Sequence, residues 1–336
     1  MTTQSLLGTT ILALTLSASL PLAPAVAQAS SRADTEIAPL EREFARIAGE
    51  LDGIVGVAVA DLSGGARFGF NADEAFPMAS TFKIAVAGTI LHRIEAGELT
   101  LDRMVEVPHD RYVMSDIIAS RLIHPGVSLS VANLMELMLT QSDNTATDML
   151  TELAGGPSAV TAWLRSIGVE GQRVDRDTTG IIRDFFRLPD GPLNEAAAAA
   201  REEDPHVFET SRTAREDFFT DPRDTSSPAA MLDLLTLIAR GEALDAERTQ
   251  FLLDVMSRCR TGEHRLRGLL PDDVDIAHKT GTIGGTVNDV GLITLPDGRE
   301  IAIAVFVKAS DDPVADRERT IAEIARLAYD YFLTAP

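Results

Sequence analysis

Apolar and polar positions alternate or cluster along the chain in ways that predict its elements. Five segments combine apolar or β-branched residues with flanking turn residues and predict strands: 54–60, 66–70, 276–280, 287–295 and 301–307. Seven others show helical periodicity and predict helices: 37–51, 130–141, 145–154, 158–167, 229–240, 246–258 and 313–332.

A further helix is predicted to begin at about Ser80. Its apolar positions recur at helical spacing, at Ile84, Ala87, Ile90, Leu91 and Ile94. Most of this stretch lacks charge, so we expect the helix to be buried.

The order of these elements limits the fold. Predicted strands lie near both ends of the chain, and predicted helices fill the middle. We therefore expect one antiparallel sheet, built from both ends of the chain, with a helical insert. No repeat of 20 to 50 residues is present, so a solenoid is excluded.

The N-terminal pattern differs from the rest. Residues 6–22 are apolar and small, but Thr, Ser and Pro interrupt them too often for a convincing membrane span. Ala25-Val26-Ala27 fits a small-residue cleavage site, which predicts a signal peptide over residues 1–27, a periplasmic protein and no stable membrane anchor. The absence of Lys or Arg near Met1 departs from the usual signal pattern.

Composition and charge limit the partners and cofactors that the chain can have. About 300 residues remain after cleavage, enough for a sizeable core. The net charge of −21 argues against nucleic acid and anionic membranes as partners. The single cysteine, Cys259, excludes an intramolecular disulfide, and the six histidines lack ligand-like spacing, so we predict no cofactor and no metal site.

Ser80 and Lys83 are the first candidates for chemistry. Residues i and i+3 of a helix share a face, which places the Lys83 amine beside the Ser80 hydroxyl. Such an amine activates a serine only if its pKa is lowered by burial or by a nearby cation. Alone, Ser-x-x-Lys is more often a capping serine followed by a solvated lysine.

Two later motifs change that assessment. Ser142-Asp143-Asn144 and Lys279-Thr280-Gly281 follow in the order typical of class A β-lactamases and penicillin-binding proteins. The chain has only three lysines, and Lys83 and Lys279 are two of them. Arginine carries the other positive charges but cannot lose its proton, so lysine at these two positions indicates a chemical requirement.

The chain from about Leu40 to its C-terminus resembles the class A serine β-lactamase family. Further matching text is Gly155-Gly156-Pro157, Arg223-Asp224-Thr225 and His278-Lys279-Thr280-Gly281-Thr282. The resemblance implies an α+β fold of the β-lactamase and penicillin-binding transpeptidase type, with an antiparallel sheet flanked by helices plus an all-α domain. It places an α/β domain at residues 28–79 and 229–336 and the all-α domain at residues 80–228.

The resemblance also implies roles for the motif residues. Ser80 would form the acyl-enzyme, Lys83 would help to remove its proton, and Ser142 would pass a proton to the leaving nitrogen. Asn144 would bind the substrate's side-chain amide, and Asp143 would hold the loop together. The remaining roles are carboxylate binding by Lys279, Thr280 and Thr282, close approach of the substrate at Gly281, and an oxyanion hole from the N–H groups of Ser80 and Thr282.

Arg265 and His278 can each be interpreted in two ways. Arg265 matches an arginine that binds the substrate carboxylate in some family members, or it is a surface arginine. His278 is interpreted as a structural neighbour of Lys279 in preference to an acid or base.

The chain departs from the family at the glutamate that serves as the deacylating base. An ungapped count from Gly155 puts Thr178 at this position, and threonine is not a base. Counting back from Leu193-Asn194 puts Asp190 there instead. The omega-like loop, residues 176–224, is unusually long, and we expect an Arg176–Asp224 salt bridge to close it and its two Phe pairs to fold over the site.

Three functions remain open at this point. The first is β-lactam hydrolysis, and the second is a D-alanyl-D-alanine peptidase or esterase with the same machinery. The third is a penicillin-binding protein that is acylated without turnover. All three take a small-molecule β-lactam or a peptidoglycan-like substrate, and we expect a monomer.

Overall fold

The structure is a computed structural model, which describes residues 1–2, 39–64, 66–115 and 117–334. The described strands, in chain order, are β1 Ile54–Asp61, β2 Arg67–Phe70, β3 Phe76–Pro77, β4 Met104–Glu106, β5 Ser128–Ser130, β6 Thr225–Ser226, β7 Ile276–Ile283, β8 Thr286–Thr294 and β9 Glu300–Lys308. Five of them form one antiparallel sheet in the order β2-β1-β9-β8-β7. The expected sheet from both ends of the chain is confirmed, and β7 extends beyond the predicted strand to Ile283.

Helices surround this sheet. They are α1 (39–48), α2 Lys83–Glu95, α3 Ile118–Arg121, α4 Val131–Thr140, α5 Asn144–Ala154, α6 Pro157–Ser166, α7 Thr178–Phe186, α8 Leu193–Glu203, α9 Glu216–Phe219, α10 Pro228–Ala239, α11 Ala246–Ser257 and α12 Val314–Thr334. Short 3₁₀ turns occupy Ala79–Phe82, His109–Arg111 and Glu209–Arg212. No helix in these ranges is both long and apolar enough to cross a membrane.

The two faces of the sheet belong to different cores. In β1, Val57 and Val59 face a core shared with α1 and α12, whereas Ala58 and Ala60 face a larger core shared with the central helices. This follows from the two-residue period of a strand, which sends neighbouring side chains to opposite faces.

Helix α2 is the centre of the larger core. All of its residues from Lys83 to Leu91 are buried, which confirms the expected buried helix. Gly88 is required there, because a Cβ at this position would lie 2.1 Å from the Trp163 ring of α6.

The larger core runs through both predicted domains, and Ile37–Pro336 form one compact unit. The domain boundaries near residues 79 and 228 therefore stay a prediction. The predicted signal peptide, residues 1–27, lies outside the described residues except for Met1 and Thr2.

Candidate active site

Ser80 lies in the 3₁₀ turn Ala79–Phe82, and α2 begins only at Lys83, three residues later than the sequence predicted. Asn288 fixes the entry to this turn by donating from its Nδ2 to the carbonyl oxygens of Pro77 (2.9 Å) and Met78 (3.0 Å). Ala79 adopts a positive φ of 46°, a conformation that costs free energy and needs support from its surroundings.

Gly281 lets strand β7 pack directly against this turn. A Cβ at Gly281 would lie 2.6 Å from the Met78 carbonyl oxygen and 3.0 Å from the Ser80 nitrogen. The glycine of the third motif is thus needed to bring the strand next to Ser80.

Lys83 is fully buried and its amine makes three hydrogen bonds. Nζ donates to the Ser142 carbonyl oxygen at 2.7 Å, to Asn144 Oδ1 at 2.9 Å and to Ser142 Oγ at 3.2 Å. Burial lowers the pKa of Lys83 well below its ordinary value, and the charge of Lys279 lowers it further. Among the described contacts, no hydrogen bond joins Lys83 to the Ser80 hydroxyl. The two residues lie one turn apart, as expected, but their side chains are not hydrogen-bonded to each other.

Ser142 sits between two lysines. Lys279 Nζ donates to Ser142 Oγ at 3.0 Å from the side opposite to Lys83. Burial lowers the pKa of Lys279 to about 8, and the charge of Arg265 contributes, while the nearby Cys259 and Asp289 oppose the shift. Two donors on one hydroxyl oxygen direct the Ser142 O–H proton away from both amines.

The two residues after Ser142 fix the start of α5 against the segment that contains Met114 and Ile118. Asn144 Nδ2 donates to the Met114 carbonyl oxygen at 2.7 Å. The Asp143 carboxylate caps α5 through Ala146 N (2.9 Å) and accepts hydrogen bonds from Ser115 Oγ (2.8 Å) and Ile118 N (2.9 Å).

Arg265 is 6% exposed, so it is not a surface arginine. One terminal nitrogen donates to the carbonyl oxygens of Gly281 (3.1 Å) and Asn288 (2.9 Å), and Nε faces Glu318 at 3.1 Å. The other terminal nitrogen donates to Thr282 Oγ1 at 2.7 Å, which leaves the Thr282 hydroxyl proton free to point elsewhere.

A buried polar cluster lies behind Lys279. His278 Nδ1 faces Asp289 Oδ1 at 2.8 Å. Burial opposes the charged imidazolium, but Asp289 outweighs it and raises the pKa of His278 to about 10. Burial likewise opposes the Cys259 thiolate, yet His278 lowers the pKa of Cys259 to about 7. His278 therefore lies in a buried network with Asp289 and Cys259.

The site opens into a cleft of about 920 Å³. Seven of the predicted residues line it: Ser80, Ser142, Asn144, Arg265, Thr280, Gly281 and Thr282. Lys83 and Lys279 lie buried behind this wall. A smaller chamber of about 340 Å³ adjoins Ser80 on the side of the long loop.

The long loop is closed as the sequence predicted. Arg176 Nε lies 2.6 Å from Asp224 Oδ2, and the same guanidinium contacts Asp184 at 2.6 Å and Asp221 at 3.3 Å. The expected Arg176–Asp224 bridge is therefore confirmed as part of a larger network.

The structure contradicts Asp190 as the deacylating base. Its side chain is fully exposed, lies 4.0 Å from Arg183 and lines neither cavity. Thr178 does line the smaller chamber, at the start of α7. No carboxylate from the 178–222 stretch borders either cavity, and Glu318 is the acidic residue that lines the larger one in the described chain.

Sequence reasoning missed Asp148. Its carboxylate accepts hydrogen bonds from the backbone N–H groups of Thr178 (2.7 Å) and Thr179 (2.9 Å), which ties α5 to the long loop. Burial raises the pKa of Asp148 to about 6, and the charge of Asp177 contributes. The available signal was its position four residues after Asn144, on the same face of a buried helix.

Within the described ranges, no three His, Cys, Asp or Glu side chains lie close enough together to hold a metal ion. The site brings together Ser80, Ser142 and two buried amines of lowered pKa, between an edge strand and a helical region. These features define a serine acyl-transfer enzyme of the β-lactamase and penicillin-binding class.

Comparisons with known proteins narrow this class. A model described as the Beta-lactamase enzyme family matches residues 39–332, so the chain belongs to that family. The carbapenem-hydrolyzing β-lactamase KPC of Klebsiella oxytoca is 32% identical over 290 residues, 85% of this chain and 87% of the relative. The extended-spectrum β-lactamase PER-1 of Pseudomonas aeruginosa is 30% identical over 271 residues, 78% of this chain and 77% of the relative.

Solved structures agree with this assignment. An ancestral class A β-lactamase superposes with a TM-score of 0.73 at 35% identity, covering 87% of this chain and all of that chain. A β-lactamase from Chitinophaga pinensis gives a TM-score of 0.72 at 30% identity, with 88% and 99% coverage. The fold of this protein is that of the class A serine β-lactamases.

Proposed function

We propose that this protein hydrolyses β-lactams through an acyl-enzyme on Ser80. One observation supports this most directly: the buried Lys83 amine and the Lys279 amine both contact the Ser142 hydroxyl at the edge of the cleft that contains Ser80. This arrangement supplies a base, a proton relay and a cation around one nucleophile.

Acylation begins with proton removal from Ser80. A neutral Lys83 amine has two N–H groups, which the Ser142 carbonyl oxygen and Asn144 Oδ1 accept at 2.7 and 2.9 Å. The lone pair of the amine is then free to accept the hydroxyl proton of Ser80. The lowered pKa of Lys83, caused by burial and by the charge of Lys279, favours this neutral form.

Ser142 returns the proton to the substrate. The proton on Lys83 reaches Ser142 Oγ over 3.2 Å, and the Ser142 proton passes to the lactam nitrogen as the ring opens. Lys279, Thr280 and Thr282 bind the substrate carboxylate. The backbone N–H groups of Ser80 and Thr282 stabilise the oxyanion, typically by about 3 to 4 kcal/mol per donor.

Deacylation needs a base for water, and no carboxylate of the long loop reaches Ser80. Lys83 is neutral again once its proton has left with the lactam nitrogen. We therefore assign the second proton transfer, from water, to the same amine.

The lack of a loop carboxylate also favours a second candidate. A protein with a complete acylating site and no efficient base for the water would bind penicillin covalently without turnover. A D-alanyl-D-alanine peptidase is distinguished from both by cleavage of a peptide that ends in D-Ala-D-Ala.

A time course of intact mass after mixing with benzylpenicillin tests these alternatives. We expect an adduct that forms and then decays as product accumulates, and no adduct in Ser80→Ala. We expect Asp190→Asn to hydrolyse at the wild-type rate, because Asp190 lies outside the cleft. A persistent adduct would support the penicillin-binding candidate, and no adduct at all would exclude both.

We also propose that residues 1–27 direct the chain to the periplasm, where it acts as a monomer. Their uncharged, apolar composition and the Ala25-Val26-Ala27 site support export. N-terminal sequencing of the protein from a periplasmic extract tests this, with a start at or near Gln28 as the expected result.

A further inference from the structure

The stretch 178–222, here called the insert, is folded against the active site. Its α7 and its 3₁₀ turn Glu209–Arg212 border the chamber beside Ser80, and its α8 borders the larger cleft. A separate core holds the insert together, built from residues of α7 and α8 with Val113 and Leu188.

The insert is anchored to the β7–β8 turn. Gly284 N donates to the Ser211 carbonyl oxygen at 2.7 Å. A second anchor lies outside this turn, where Ala214 N donates at 2.7 Å to Oδ1 of Asp311, just after β9. Phe185 packs against Gly284, where a Cβ would lie 2.4 Å from the ring. The insert is therefore fixed next to Thr282, on the strand that carries the third motif.

The chamber between the insert and Ser80 is mainly apolar. Ile181, Ile182 and Phe186 of α7 line it together with Ile283 of β7. Its volume of about 340 Å³ lies within the range of small-molecule sites. An apolar acyl group attached to the lactam ring would fit between Ser80 and α7.

The arginines of the insert divide into two groups. Arg183, Arg187 and Arg215 each lie beside an aspartate of the insert. Arg201 and Arg212 have no carboxylate partner among the described residues, and these two are the insert's arginines that line the cleft. In a protein of net charge −21, two guanidinium groups of the insert that lack a carboxylate partner and border the same cleft are suited to an anionic ligand.

Arg212 is the better placed of the two. It lines both the cleft and the apolar chamber, and its exposed guanidinium has no hydrogen-bond acceptor in the described chain. Arg201 lies over the Phe208 ring, 5.1 Å from the ring centre, and lines the cleft alone. Lys279, Thr280 and Thr282 already serve the ring carboxylate, so Arg212 is available for a second anion.

We propose that the insert builds an acyl side-chain subsite that selects β-lactams whose side chain has an apolar body and a carboxylate. The apolar body occupies the chamber lined by α7, and Arg212 pairs with the carboxylate at its mouth. This inference rests on the proposed β-lactam function and names the substrate class of that site.

The test compares benzylpenicillin with its derivative that bears a carboxylate on the benzylic carbon. Because the two differ in that group alone, the ratio of their kcat/KM values reports the second anion. We expect Arg212→Gln to lower the ratio of the carboxylated to the plain compound about ten-fold or more, the loss typical of one charge-assisted hydrogen bond. Arg212→Lys should keep part of it.

Arg187→Gln is the matched control. It removes an exposed arginine of the same insert that lines neither cavity, so the wild-type ratio should persist. An unchanged ratio in Arg212→Gln would overturn the proposal while leaving the β-lactamase function intact.

A binding measurement covers the case in which neither penicillin acylates the wild-type protein. Calorimetry with Ser80→Ala compares the affinity of both compounds without any reaction. We expect the carboxylated compound to bind about ten-fold more tightly, and Ser80→Ala with Arg212→Gln to lose this preference. Equal affinities in Ser80→Ala would overturn the inference, whereas a missing adduct on the wild type would count against the proposed function.

Discussion

At the residue scale, Lys83 and Lys279 contact the same Ser142 oxygen, and the proposed mechanism needs these two amines in opposite charge states. Lys83 has to lose its charge to accept a proton, and burial beside a second cation lowers its pKa accordingly. Lys279 has to keep its charge to bind a carboxylate, and the adjacent Cys259 and Asp289 limit the fall in its pKa. The two amines therefore differ in their charged neighbours: Lys83 lies near the cation of Lys279, whereas Lys279 lies near Cys259 and Asp289.

This separation predicts an alkaline limit to catalysis. The pKa of Lys279 is about 8, so the cation is lost as pH rises through that value. We expect kcat/KM for benzylpenicillin to fall above about pH 8. In Lys279→Arg, whose charge persists, the decline should move to higher pH even though the absolute rate is lower. A wild-type profile that stays flat to pH 10 would contradict this role for Lys279.

At the scale of elements, one close contact packs the insert against the β7–β8 turn. Phe185 of α7 meets Phe218 edge-on and lies against Gly284 in the β7–β8 turn. Gly284 has a φ of 55°, so it provides both the left-handed turn and the space for the ring.

Replacing this glycine tests whether the turn holds the insert. Gly284→Ala should lower the free energy of unfolding by about 1 kcal/mol for the positive φ and by a further 1 to 3 kcal/mol for the collision with Phe185. Gly298→Ala is the matched control, because its φ is 85° and no atom lies within 4 Å of the added Cβ. Urea unfolding and limited proteolysis of the insert measure the difference, and equal losses in the two variants would refute the Phe185 contact.

At the scale of the whole molecule, Asp148 links the helical core to the long loop. It lies buried on α5 and accepts the first two N–H groups of α7, Thr178 and Thr179. Such a link makes the loop part of the cooperative fold. It also places a carboxyl group where burial disfavours its charge.

The pH dependence of the protein's stability should reflect the burial of the Asp148 carboxylate. The pKa of Asp148 is about 6 in the folded protein against 3.8 in the unfolded chain, so the folded state holds this proton more tightly. Its contribution to the free energy of unfolding should therefore fall as pH rises from about 4 to about 6, by up to about 3 kcal/mol. Urea unfolding at several pH values measures the difference in the free energy of unfolding between the wild type and Asp148→Asn. This difference should decline as pH rises, and a difference that is constant with pH would contradict the prediction.

The sequence anticipated the elements that have a strong local pattern. The sheet strands, the buried helix after Ser80 and the closing helix all follow from periodicity, which is a property of neighbouring residues. The start of α2 was three residues early, because a 3₁₀ turn and an α-helix share the same apolar spacing over one turn. The short strands β3 to β6 and the helices α3 and α9 were missed, since two to four residues carry too little pattern. The longer helices α7 and α8 of the insert were not predicted either.

The sequence by itself determined the three motifs, the scarcity of lysine and hence the class of chemistry, because these depend on residue identity and order. Tertiary structure alone decided which side chains meet. It removed Asp190 from the site, turned Arg265 inward onto Thr282, buried Asp148 under the loop and left Arg212 unpaired at the cleft. The reason is physical: a side chain's partners and its pKa depend on neighbours distant in sequence, which residue spacing does not encode.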